Sequence, residues 1–136
     1  MSYNDYLCKA SGDLFVATVK SGLDSVRFAE KLFHSEVAFV FYNNWTSSNW
    51  LGEKYVLEVL DHELHFVKGT TLHEDFMYWA GYLYRAWSLA YDETPEEIYR
   101  QAPMEVLQQM FLGLHVMSYQ MAIKDLKEMY RANNEQ

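Results

Sequence analysis

Apolar side chains recur along this chain at three- and four-residue spacings, the pattern of helices that each bury one face. Asn4 is placed to cap a first helix from about Asp5 to Lys20, with Leu7, Leu14, Phe15 and Val19 on its inner side and Ser21-Gly22 at its end. Asp24 caps a second, carrying Val26, Phe28, Ala29, Leu32 and Phe33. From Ser35-Glu36 to Tyr42 the chain reads as another helix, although Val37-Ala38-Phe39-Val40-Phe41 suits an extended segment as well. Asn43 to Asn49 is a loop by composition. A helix from about Trp50 to His65 follows, with Tyr55, Val56, Val59, Leu60 and Leu64 in phase.

Lys68-Gly69-Thr70 interrupts the pattern, and Thr71-x-x-Glu74 matches a capping box for a helix reaching about Tyr91. Thr94-Pro95-Glu96-Glu97 is a second such box and opens a short helix ending near Gln101. Pro103 belongs to the first turn of the next helix, through Val106, Leu107, Met110, Phe111 and Leu114. Ser118 caps the last, whose stripe of Tyr119, Ala122, Ile123, Leu126, Met129 and Tyr130 opposes Lys124, Asp125, Lys127, Glu128 and Arg131. The tail from 131 to 136 is expected to fray. Strand signals are scarce, so the expected fold is all-α, a compact single domain over 1–136 with about six to seven helices.

Composition narrows the class. Half of the 136 residues are apolar and 17% are aromatic, which rules out a disordered chain. Cys8 is the one cysteine, so an internal disulfide or a Cys-rich zinc site is excluded. The opening residues have neither a basic nor an apolar signal region, and the expectation is a cytoplasmic protein. The best apolar run, Val37–Tyr42, is far too short for a membrane span. A net charge of −8 disfavours direct nucleic-acid binding and suits a basic protein partner or imitation of nucleic acid.

Chemistry centres on Trp79-Ala80-Gly81-Tyr82-Leu83-Tyr84-Arg85-Ala86-Trp87. Trp79, Tyr82 and Arg85 fall roughly along one helix face, with Trp87 on the adjoining stripe. Such residues dominate interface energetics, so they are candidate partner-binding anchors, with Trp45 and Trp50 as a second patch. The competing reading is an aromatic core helix whose Arg snorkels to water. His115 either bonds a carbonyl where two helices meet or joins Arg85 and Tyr99 in a polar pocket. Glu58, His62 and His65 have the spacing of a helical metal site, but Glu-x-x-His does not recur on another helix. No metal site, nucleophile elbow or phosphate-cradling Gly-rich loop is expected, and hence no enzyme and no cofactor.

The run Tyr78–Trp87, together with Thr94-Pro95-Glu96-Glu97-Ile98-Tyr99, Leu114-His115 and Ala122-Ile123, resembles small, largely uncharacterised bacterial proteins over roughly Phe76 to Leu126. Members of that group look like components of toxin–antitoxin modules. The resemblance implies an antitoxin or regulatory inhibitor from a bacterium or phage that occludes a protein partner, either a toxin or a defence factor. Two alternatives remain open: an acidic anti-defence inhibitor of a nucleic-acid-binding protein, and a metal-dependent enzyme using Glu58, His62 and His65. Homo-oligomerisation is a further way to bury the aromatic patch.

Overall fold

The computed structural model describes residues 2–48 and 52–134 and places eight helices among them. Helix α1 (Tyr3–Lys20) is capped by Ser2, whose hydroxyl accepts the Asp5 N–H at 3.1 Å; the cap is thus two residues earlier than Asn4. Helix α2 (Ser25–Phe33) begins at Asp24 as expected, with the Asp24 carboxylate accepting the Arg27 N–H at 3.0 Å. Helix α3 (Glu36–Ser48) settles the ambiguous Val-Phe-Val-Phe run as helical and absorbs most of the expected loop. The cause is packing: Ala38, Phe39, Tyr42, Trp45 and Thr46 are buried at helical spacing. Thr46 and Ser47 hydroxyls donate back to the Asn43 carbonyl at 2.9 and 3.0 Å, so these loop-forming residues satisfy themselves within the helix.

Helix α4 runs Glu53–Leu64, and the expected start at Trp50 lies outside the described residues. Helix α5 (Glu74–Ala90) is capped by His73 rather than Thr71, with Nδ1 accepting the Asp75 N–H at 3.0 Å. Helix α6 (Pro95–Gln101) carries the complete Thr94–Glu97 capping box. Helix α7 (Met104–Leu114) follows Pro103, and α8 (Tyr119–Asn134) starts at Ser118, whose hydroxyl accepts the Met121 N–H at 3.2 Å. Helix α8 runs to Asn134, and the last two residues of the tail expected to fray lie outside the described residues. The count therefore exceeds the expected six to seven because α3 is a true helix.

Helices α1 and α5 form the central seam and run in opposite senses: Tyr78 meets Gly12, Gly81 meets Ser11 and Tyr82 meets Asp5. A Cβ on Gly81 would lie 2.7 Å from the Ser11 carbonyl oxygen and 2.8 Å from Phe15, so the approach requires glycine. The Ser11 hydroxyl donates to the Gly81 carbonyl at 2.8 Å and accepts from the Tyr42 hydroxyl, tying α3 to the seam. Around it all eight helices contribute to one buried cluster, in which Phe33 packs on Tyr84 and Tyr99 with ring centroids 4.6 and 5.5 Å apart. The segment between α4 and α5 is zipped to the α1–α2 turn. Asp24 N–H donates to Val67 O at 2.9 Å, Ser25 N–H to Thr70 O at 3.0 Å, and Leu72 N–H to the Ser25 hydroxyl at 3.0 Å.

Candidate functional site

The aromatic run of α5 faces inward. Trp79 and Trp87 are buried, and Trp79 packs against Phe111 at 5.3 Å, because α1, α6, α7 and α8 surround α5. Trp45 is likewise in the core, and Trp50 lies outside the described residues. The expectation that Trp79, Trp87 and Trp45 are surface anchors is thereby corrected: helical phase identified a shared face but not the direction it points. Tyr82 is half-buried; its hydroxyl donates to Asp5 and its ring stacks on Tyr119 at 4.0 Å. His115 is exposed and donates from Nδ1 to the Phe111 carbonyl at 2.7 Å, the helix-junction role. It does not join Arg85 and Tyr99, since Tyr99 packs on Phe33 in the core while the His115 ring stacks on Phe111 at 4.6 Å.

Arg85 does not snorkel. It retains 7% exposure, Nη1 donates to the Ser88 hydroxyl at 3.0 Å, and the buried Nε has no hydrogen-bond partner among the described residues. No carboxylate lies within ion-pair distance of it among the described residues. A buried guanidinium so poorly compensated is costly. Nearby, burial pushes the Cys8 thiol up to about 11 against the opposing influence of Arg85, so Cys8 is a protonated packing residue near neutral pH.

Glu58, His62 and His65 do not converge. His65 leaves α4 in a left-handed conformation (φ 53°), and its carbonyl accepts from Lys31 at 2.9 Å. No group of three His, Cys, Asp or Glu side chains among the described residues is arranged to hold a metal.

A surface trough is the feature that helical phase did not reveal. Between α1, α5 and α8 lies a hollow of about 800 Å³, walled by Asp5, Cys8, Tyr82, Ala86, Leu89, Tyr119, Met121 and Ile123 among others. A second, of about 490 Å³, continues along α8 past Lys127, Tyr130 and Arg131. The two share Tyr91 and Lys124 and so form one trough. In its second half Lys127 is fixed: Nζ donates to Glu93 and, at 3.2 Å, to Gln101 Oε1, and sits 4.5 Å from the Tyr91 ring centre. Burial works against ionisation of Glu93, yet hydrogen bonds from Lys127, Gln101 and Trp87 hold its carboxyl below the usual range.

At the other end, Ser118 and Tyr119 connect the trough to the α7–α8 corner. Leu112 is 81% and Val116 76% exposed there, with Met117 and Met121 also open to solvent. Leu112 is out of phase with the buried stripe of α7, and Val116 lies beyond the helix end. That displacement from the periodic pattern was the available sequence signal.

The chain matches no family model, no curated protein and no solved structure. What the fold defines is an all-α protein, and among the described residues no helix is long and apolar enough to cross a membrane.

Proposed function

We propose that this protein is a protein-interaction module, an antitoxin-like or regulatory inhibitor that occludes a partner through the α7–α8 corner and the adjoining trough. One observation carries the reading: Leu112, Val116, Met117 and Met121 are all exposed around the α7–α8 corner, and Met121 lines the aromatic-walled hollow. Contiguous exposed apolar side chains bordered by a groove mark interaction surfaces, because leaving them in water has no benefit to the isolated fold. Methionines add adaptability to such a surface. The anchors are therefore Leu112, Val116, Met121, Leu89 and Tyr91, while the buried Trp79, Arg85 and Trp87 support the helix from which Leu89 projects.

The test is co-purification of the tagged chain with its partner from the native host, set against the double variant Leu112→Asp/Val116→Asp. Both sites are exposed, so stability should stay within about 0.5 kcal/mol per substitution. The expected result is an unchanged melting curve with loss of the stoichiometric partner. For a toxic partner, growth rescue on co-expression is lost as well. Retention of the partner at full stoichiometry by the double variant contradicts the assignment.

A further inference from the structure

We infer that the trough along α8 receives an acidic, apolar-faced segment of the partner protein, an inference that rests on the docking reading above. The trough is chemically asymmetric. Its first half presents Tyr82, Ala86, Leu89 and Met121, a surface for apolar side chains. Its second half presents Lys124, Lys127 and Arg131 from one helix edge, in a chain whose net charge is −8.

Lys127 is neutralised by Glu93, but Lys124 and Arg131 have no carboxylate within ion-pair distance among the described residues. Glu128 is the one acid lining that half. Asp5, the acid of the first half, accepts from Tyr82 and lies 3.5 Å from Lys9.

The net charge of −8 disfavours an acidic segment over the surface as a whole, and the uncompensated Lys124 and Arg131 favour it at this edge. Length agrees: the 16 residues of α8 span about 24 Å at the helical rise, so the edge accommodates a partner helix of about four turns.

The test uses two fluorescein-labelled 16-residue helical peptides sharing one leucine face, with Glu or Lys at the remaining positions, titrated with the full chain by anisotropy. The overall charge of the chain favours the Lys peptide, so a Glu preference is attributable to the trough. The expected result is about tenfold tighter binding of the Glu peptide at low salt, declining as salt is raised. Lys124→Glu/Arg131→Glu should abolish that preference, and Leu89→Asp should weaken both peptides.

Equal binding, a Lys preference, absence of binding, or indifference to the charge reversal overturns the inference. So does a wild-type dimer in sedimentation equilibrium that the charge reversal dissociates, which assigns the trough to a second copy. Capture by phosphatidylglycerol vesicles without Glu-peptide binding overturns it too. If the peptide preference is absent while Leu112→Asp/Val116→Asp still removes the partner, the trough assignment alone fails. If the partner survives that double variant, the docking face itself is wrong.

Discussion

Arg85 brings a positive charge into the interior with one hydroxyl as its side-chain hydrogen-bond partner among the described residues. Replacement by methionine keeps much of the side-chain volume, removes the buried charge, and leaves Ser88 donating to the Arg85-position carbonyl, now 2.8 Å away. Arg85→Met should therefore raise unfolding free energy by about 1–2 kcal/mol in urea titration, and a fall of that size would show that the guanidinium stabilises the seam. Tyr42 supplies a pH test. Burial raises its phenol from the ordinary 10.0 to about 12. The folded state thus holds this proton more tightly than the unfolded chain, and the contribution is complete below pH 10 and lost between pH 10 and 12. Tyr42→Phe should flatten the alkaline decline of the urea midpoint, and an unchanged slope would refute that origin. At this scale the sequence left open whether the aromatic run faces inward or outward. Trp79, Arg85 and Trp87 were singled out by type and spacing, but which neighbours cover α5 is decided by contacts distant in sequence.

Between elements, two joints hold the arrangement. Asp24 caps α2 through the Arg27 N–H at 3.0 Å and accepts the Thr70 N–H at 3.2 Å from the α4–α5 segment. Asp24→Ala removes both and should cost about 2 kcal/mol, read from the urea midpoint; a loss below about 0.5 kcal/mol would show that the joint is held by backbone bonds alone. Gly81→Ala gains helix propensity of about 1 kcal/mol but drives a methyl against the Ser11 carbonyl and Phe15, with an expected net loss of about 2 kcal/mol. Stabilisation would mean that the α1–α5 seam yields. Legibility follows the range of the interactions. The Asp24, Thr94 and Ser118 caps are local and were readable. His73 displaces Thr71 as the α5 cap in a segment where Thr70 and Leu72 are already bonded to Ser25, a partner about 45 residues away. The Asn43–Ser48 stretch is helical because Trp45 and Thr46 are buried by other helices, which composition does not report.

For the whole molecule, the all-α class was legible because each helix buries one periodic stripe in a shared core. The proposed docking face was not, because it consists of apolar residues out of phase with those stripes and of a trough between three helices remote in sequence. The proposed partner contact covers residues 82–91 and 112–124, where the exposed corner joins the trough. Hydrogen–deuterium exchange on the complex with its co-purified partner tests this most directly. The prediction is slowed exchange in peptides covering 82–91 and 112–124, with α2 and α4 unaltered. Protection confined to α2, α4 or the α3–α4 hollow around Val37 and Tyr55, with the α7–α8 corner exchanging as in the free protein, would contradict it.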